Sequence, residues 1–518
     1  MKRDIRDYTP MPTWDYWETV AHIPRYEAFD LSVLWEQHYE HRMPVPELVF
    51  AADYLVFGGC QVLPAVLNVV CQVGALFLFA FALRRSPGIP GSIVFASVCL
   101  SAVLLAWPGV TFVLSEPFLL QWLLLQAAVM VSLLQLTRGN LLGAIAAAIV
   151  ATFCMANGLA LWPILIVFSL LRRESVRRLA ILCTVFVLTT CIYFLGYRNL
   201  NHFKSQMLLE HPGNIAAYFV RYLSMPFGAV DVTNALVMGI LSIAMLAAAI
   251  YFVWRKRLFT EAIPTLCIGV CLLTLFTDSL TSLSRVPVER TWQGSSEIPA
   301  HYLNVSLYYW VSLVILGVFV LCRIFPRRWP SALFLMVFAL AAANQQPRMW
   351  PWTNFWMKIP TMYRFAALSL ESGIDNDMVD GMLYYPDLKM VPRSLAALAS
   401  RHISIYRRSS RFQWIGKPSA TLFRRTGTPA LGGIVSANRW MNGYKITGWT
   451  EGHWSDIVLL DGKQKIIGVG EHFTNEWDDL AQIPASHAGA GWIGFTLTMP
   501  AEACVVQRLT NHTFCYGI

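Results

Sequence analysis

Ten apolar runs constrain this chain more than any other feature. They fall at 61–83, 90–107, 117–136, 141–155, 158–171, 179–197, 234–254, 260–283, 304–322 and 329–343. About 20 apolar residues make a helix long enough to cross ~30 Å of hydrocarbon. The chain is 14% charged, against roughly 25% for a soluble globular protein, and the deficit is concentrated in these runs. A charge at mid-membrane depth costs at least about 2.5 kcal/mol, which explains where charge is missing. The expected fold is therefore an α-helical polytopic membrane protein with about ten transmembrane helices.

The charges that remain sit between the runs, in a pattern. Arg84 and Arg85 follow the first run, Arg138 the third, and Arg172, Arg173, Arg177 and Arg178 the fifth. Arg255, Lys256 and Arg257 follow the seventh, and Arg323, Arg327 and Arg328 the ninth. Every second connection is basic, while the short alternate ones, Pro108–Glu116 and the Asn157-Gly158 break, carry no Lys or Arg. Basic short loops stay cytoplasmic. Residues 141–171 must then turn back at Asn157-Gly158, because a single crossing would put Arg138 and the Arg172–Arg178 cluster on opposite sides. The net charge of +9 is read as this topology signal. With no basic patch interleaved with aromatics, no nucleic-acid partner is expected.

The same parity puts residues 1–60, the loops 198–233 and 284–303, and everything after 344 on the extracytoplasmic side of a bacterial inner membrane. No signal peptide is expected at the start of this sequence, since no apolar stretch follows Lys2 and Arg3. The expected organisation is an extracytoplasmic loop with an interfacial helix at 1–60 and a transmembrane bundle at 61–344. A helical connector at 345–417, with helices at Met362–Ser372 and Arg393–Ser400, leads to a small β-domain at 418–518. The C-terminal α/β region should end in a β-sandwich-like fold. Its strands are read at Ser455–Leu460, Gln464–Val469, Gly491–Met499 and Cys504–Leu509, with a turn at Asp461-Gly462. Of eleven cysteines, nine lie in or beside apolar runs, where Cys behaves as a small hydrophobe. Cys504 and Cys515 are exported, flank a turn at Thr510-Asn511, and are a candidate disulfide.

Polar chemistry concentrates in a few places. The first sixty residues carry Trp14-Asp15-Tyr16-Trp17-Glu18 and Trp35-Glu36-Gln37-His38-Tyr39-Glu40-His41-Arg42-Met43-Pro44. Acids, histidines and arginine at a membrane surface can deprotonate a hydroxyl, hold a metal or pair with a phosphate. The competing reading is an amphipathic interfacial helix with Leu31, Leu34, Trp35, His38 and His41 at helical spacing. Arg285, Arg290 and His301 offer phosphate-matching donors, or else salt bridges to Glu289 and Glu297. In 198–233, Phe219, Tyr222 and Leu223 share a face beside Arg221, as a re-entrant or an interfacial helix would place them. Asp278 lies toward the outer end of the eighth run, where it should reach water. An ionisable group at that depth is a functional candidate by default. Trp440, Trp449, Trp454, Trp477 and Trp492 crowd the β-domain, as core packing or as sugar-stacking faces.

Trp14–Glu18, Leu34–Pro44, the Asn157-Gly158-x-x-x-Trp162-Pro163 element and the Arg285…His301-Tyr302 loop resemble the GT-C class of polytopic glycosyltransferases, especially uncharacterised bacterial members. The resemblance spans most of residues 1–345 in topology. It implies a polyprenyl-phosphate-linked sugar donor, contact with membrane lipid, and a glycan or glycolipid acceptor of the cell envelope. It makes Asp15 the catalytic base, with Glu40, His41 and Arg42 lining the site, and leaves room for a divalent metal. Members of the class begin with a membrane helix ahead of the loop that carries the acid. This chain begins within that loop, so a first helix is expected to be missing. A rival of another class is a membrane scaffold or polysaccharide-assembly component whose β-domain binds glycan or a partner.

Overall fold

The computed structural model describes residues 10–107, 109–198, 212–228, 232–289, 301–374, 390–407, 411–426, 431–451, 456–472, 491–507 and 512–518. A short helix α1 (Tyr16–Ala21), a hairpin of β1 (Gln37–His38) and β2 (His41–Arg42), and α2 (Pro44–Phe57) come first. Then follow α3 (Val62–Arg85), α4 (Gly91–Leu105), α5 (Leu120–Thr137), α6 (Leu141–Cys154), α7 (Leu161–Leu171) and α8 (Val176–Phe194). The helical part ends with α9 (Pro212–Leu223), α10 (Val232–Arg255), α11 (Ala262–Glu289), α12 (His301–Ile324), α13 (Trp329–Glu371) and α14 (Met390–Arg401).

Each of the ten apolar runs lies on a helix. Among the described residues, six stretches are long and apolar enough to cross a membrane: Val62–Arg85, Pro117–Thr137, Val176–Phe194, Thr233–Arg255, Ala262–Ser284 and His301–Ile324. Gly91–Leu105, Leu141–Cys154, Ala156–Leu171 and Trp329–Gln345 are apolar but shorter. Large apolar side chains face outward on these helices, Phe77 at 70% and Phe95 at 71% exposure. Lipid, not water, is the solvent that tolerates such a surface.

The described residues form two compact units. One comprises Arg25–Ala51 and Leu63–Ile359; the other comprises Ala52–Val62, Pro360–Ile518 and the N-terminal stretch up to Pro24. The first sixty residues are thus divided between the two.

Within the first unit, the basic connections meet at one end. Arg172 donates to the carbonyls of Phe259 (3.2 Å), Thr260 (3.1 Å) and Thr137 (3.4 Å). Arg178 donates to Gly139 O at 3.1 Å, and Arg323 pairs with Glu261 at 2.6 Å. Arg85 and Arg138 both stack over the Phe81 ring. The ends of α3, α5, α7, α10 and α12 are therefore gathered, as the alternation of charge requires. The opposite turn, between α6 and α7, is tight. A Cβ at Gly158 would lie 2.1 Å from Ala151 O, so only glycine lets the backbone come this close.

The interfacial helix read through Leu31–His41 is not there. Leu31–Trp35 is one 3₁₀ stretch, Glu36 is extended, and β1 and β2 pair antiparallel around Tyr39, whose φ is +48°. A helix does start at Pro44, earlier than the first apolar run. Proline in a first turn removes a donor that would be orphaned anyway. The two connector helices are present, the first as the end of α13 and the second as α14.

The second unit holds one eight-stranded sheet. Its strands are β3 (Arg424–Arg425), β4 (Gly432–Trp440), β5 (Gly443–Thr450), β6 (Asp456–Leu460), β7 (Ile466–His472), β8 (Gly491–Thr496), β9 (Glu502–Gln507) and β10 (His512–Gly517). The spatial order is β3-β10-β9-β6-β7-β8-β5-β4, antiparallel except for β3 with β10. Alternation along β6 separates two cores. Val458 and Leu460 join Phe365, Leu368 and Phe495 on one face, while Ile457 and Leu459 join Ile446, Trp492 and Val505 on the other. The sheet curls until its far strands approach, with Thr450 Oγ1 2.9 Å from Tyr516 Oη. The sandwich-like character comes from this curl, which turns one sheet's concave face upon itself. Cys504 and Cys515 are directly opposed on β9 and β10 and are bonded, with Cα atoms 3.9 Å apart. The turn between them lies outside the described residues.

Candidate functional site

Because the basic connections occupy one end of the first unit, the opposite end receives its remaining polar chemistry. The β1–β2 hairpin is strapped there to the chain leaving α8. Gln37 donates to Arg198 O at 2.8 Å and accepts from Arg198 N–H at 2.9 Å, and the Tyr197 hydroxyl donates to Glu40 O at 3.2 Å. Arg42 is buried. Its Nη1 donates to Trp35 O (3.1 Å), its Nη2 to Leu195 O (2.7 Å), and its guanidinium lies 5.0 Å over the Trp35 ring. Its backbone N–H donates to Tyr193 Oη at 2.9 Å. Arg42 thus clamps the hairpin to the end of α8 through Nη1 and Nη2, while its buried Nε has no partner. Glu40 is exposed and His41 half-buried beside it.

An aromatic chain runs inward from the hairpin. His38 packs against Phe118 at 5.1 Å. Further in, Trp122 meets Tyr302 at 5.9 Å, and Tyr302 meets Tyr222 at 5.1 Å and His301 at 4.0 Å. His301 and Tyr302 open α12. The side chain of Arg285 and the whole of Arg290 lie outside the described residues. On α9 the buried face is Tyr218, Tyr222 and Leu223. The last carbonyl of that face, Leu223 O, accepts from Ser306 Oγ and Trp310 Nε1, both at 2.7 Å, so α12 supplies the donors a helix end needs.

Asp278 is the exception in this region. It was expected to reach water and is instead fully buried. Ser282 Oγ donates to its Oδ1 at 3.1 Å, and Oδ2 has no partner. One turn earlier, the buried Thr274 hydroxyl has no partner either, nor does the buried Tyr222 hydroxyl on α9. Burial, and then the nearby Asp278, Tyr302 and Tyr218, push the Tyr222 hydroxyl well above its ordinary pKa. Asn157, at the α6–α7 turn, is buried and donates to Thr277 Oγ1 at 3.2 Å. Gln72 is matched, donating to Leu105 O (2.8 Å) and Asn304 Oδ1 (3.1 Å) and accepting from Tyr308 (2.9 Å), whereas Gln121 Oε1, Gln126 Oε1, Asn304 Nδ2 and Ser312 Oγ are buried without a partner. A buried polar atom left unmatched costs roughly 1–3 kcal/mol, and more when charged.

Asp15 belongs to the second unit, apart from Glu40, His41, Arg42, His301 and Tyr302, which belong to the first. Asp15 begins α1 and is half-buried. Tyr16 and Trp17 beside it are fully buried. The Trp14 indole donates to Tyr363 Oη at 2.5 Å, α1 packs on α14, and Ser404 N–H donates to Gly58 O at 3.0 Å. The aromatic density around Asp15 therefore serves to dock this segment.

A charged knot occupies the same unit. Arg411 reaches Asp456 (3.2 Å), Glu471 (3.0 Å) and Glu371 (3.8 Å), and Arg364 also pairs with Glu471. Burial pushes the Glu371 carboxyl up to about 7, against the pull of Arg411 and Arg407. Trp492 is core, Trp440 and Trp449 are half-buried against the sheet, and Trp454 and Trp477 lie outside the described residues. The acid–thiol group Glu502, Cys504 and Cys515 is closed to metal by the disulfide.

No family profile and no curated protein matches the chain. Among solved structures it is similar to ArnT from Cupriavidus metallidurans bound to undecaprenyl phosphate, with a TM-score of 0.37 and 17% identity over 77% of this chain and 72% of that one.

Sequence reasoning missed the Thr274–Asp278–Ser282 face. Its signal was present as three oxygen-bearing side chains at i, i+4 and i+8 in an apolar run. What the run does not tell is that all three point inward.

Proposed function

We propose that the chain is a GT-C-type membrane glycosyltransferase of the bacterial inner membrane. In this reading it moves a sugar from a polyprenyl-phosphate carrier to an envelope glycan or glycolipid, and its N-terminal segment and β-domain lie outside the cytoplasm. The observation that carries the reading is the polarity of the first unit. Arginine-rich connections close one end, and the hairpin, Tyr222, Asp278, His301 and Tyr302 collect toward the other. A lipid-linked phosphate sits at that depth, with its chain in the bilayer and its sugar in water.

The chemistry would be direct displacement at the anomeric carbon. The Asp15 carboxylate takes the proton of the acceptor hydroxyl, the acceptor oxygen bonds to the anomeric carbon, and the bond from that carbon to the phosphate oxygen breaks. His301, Arg285 and Arg290 supply positive charge for the departing phosphate. Asp15 suits a base because its backbone is held by buried neighbours while the carboxylate keeps partial access to solvent. Arg42 has a positioning role, through the hairpin that carries Glu40 and His41.

The test is mass spectrometry of lipid-linked sugars and envelope glycans from cells with and without the protein. A lipid-linked sugar should accumulate, and one glycan modification should vanish, in its absence. Unchanged profiles would remove the enzyme reading and leave a scaffold.

A further inference from the structure

We propose that Asp278 Oδ2, Thr274 Oγ1 and the Tyr222 hydroxyl form a binding site for one sodium-sized monovalent cation inside the helix bundle. The three atoms are buried and none has a partner. Thr274 and Asp278 are one turn apart on α11 and share a face. Tyr222 lies on the buried face of α9, and α9 packs on α11.

The behaviour of the neighbouring hydroxyls on α11 supports a ligand. Ser279 and Thr281 bond back to their own helix, at Leu275 O (2.7 Å) and Thr277 O (2.9 Å). That is the usual resting place of a hydroxyl in a helix. Thr274 does not take it, and Ser282 turns its proton to Asp278 Oδ1. The free atoms are all oxygens, the ligand type of hard cations.

Charge selects the valence. Helices α5, α7, α9, α10 and α12 pack on α11, and none of them contains an Asp or Glu. Asp278 has no ion pair among the described residues, although Arg221 stands beside Tyr222 on α9 and His301 opens α12. One carboxylate and two neutral hydroxyls carry a single negative charge. With the carboxyl ionised, a monovalent cation leaves the site neutral, whereas a divalent ion leaves it positive; a proton on the carboxyl is the other neutral state, and the experiment separates the two. Neutrality is what a low-dielectric interior favours. The proposal is independent of glycosyl transfer.

The experiment is binding of radiolabelled sodium to the purified full-length protein in detergent, in mildly alkaline buffer, with choline holding ionic strength constant. Saturable binding of one ion per chain is expected. Asp278→Asn should abolish it. Thr274→Val, which keeps the charge and the shape, should raise the half-saturating concentration roughly tenfold, the effect of one lost ligand. Both variants must elute as monodisperse protein. Absence of saturable binding to wild type, or undiminished binding to Asp278→Asn, overturns the proposal. So does a protonated-carboxyl infrared band that is present in wild type under the same buffer and lost in Asp278→Asn, since the positive charge would then be a proton.

Discussion

Asp278 and Asp456 are both buried carboxylates, and their surroundings are opposite. Asp456, in the second unit, lies within 3.2 Å of Arg411, which also holds Glu471 at 3.0 Å. Asp278, in the first, has one hydroxyl donor and no cation among the described residues. The β-rich unit contains its own counter-charges, so its acid is part of the architecture. In the apolar bundle no described cation pairs with Asp278, although Arg221 and His301 lie on helices that pack on α11, so its acid calls for something that arrives from outside. A buried acid earns a functional reading when its charge is left unanswered by the fold.

The largest expected effect concerns a third acid that fits neither pattern. Asp15 is half-buried and docked with its segment in the second unit. As a hypothesis, Asp15→Asn lowers the rate of glycan transfer at least ~10²-fold, the usual contribution of a general base, with membrane insertion and thermal stability unchanged. Normal transfer by this variant would leave Asp15 a surface group at the start of α1. Rate, expression level and melting temperature are measured on the same preparation.

The next two predictions bear on the contrast itself. Arg411→Met takes from the buried Asp456 and Glu371 the guanidinium that reaches both and should cost about 3–5 kcal/mol of stability in the second unit. Asp278→Asn removes an unpaired charge and should cost far less. Denaturant unfolding of the full chain in detergent, followed through the β-rich unit's tryptophans, reads the first, and unfolding of the helical signal reads the second. Equal losses would erase the distinction drawn above. Cys504→Ser should follow, at roughly 2–3 kcal/mol for the small loop it opens. A reduced wild-type protein as stable as the oxidised one would show that strand pairing alone holds β9 to β10.

The smallest effect is a pH slope. The folded-state pKa of Glu371 is raised to about 7 from an ordinary 4.5. The proton therefore binds more tightly in the folded protein, and the stability it contributes is full below pH 4.5 and lost as pH rises through about 7. The slope in that window is at most about 1.4 kcal/mol per pH unit. Glu371→Gln should flatten it and make the protein more stable than wild type in alkaline buffer. A variant that keeps the wild-type slope would assign the titration to another member of the Arg411 knot.

The membrane architecture was legible because its causes are local. Apolar length places the helices and arginine parity pairs their ends, and the Arg172 contacts with Thr137, Phe259 and Thr260 are that parity realised in space. The strands from Asp456 onward were legible for the same reason, since alternation and an Asp-Gly turn act over a few residues. Strands β4 and β5 were not, because their partly buried, mixed sequence gains meaning only once β5 pairs with β8. There Gly448 has no room for a side chain, with Trp492 within 2.2 Å of a Cβ placed at that position.

The candidate site was legible in residue type and not in role. Sequence by itself determined that acids, histidines and arginines occur beside the first apolar helix, that Asp278 lies within a membrane run, and that Cys504 and Cys515 share a compartment. Tertiary structure alone decided that Arg42 donates through Nη1 and Nη2 to the carbonyls of Trp35 and Leu195, that the segment of Asp15 packs on α14, and that Asp278 is sealed from water beside Tyr222. The physical reason is range. Hydrophobic periodicity and loop charge act along neighbouring residues, while the state of a carboxylate or guanidinium depends on which partners from distant segments the packed fold brings within ~3 Å.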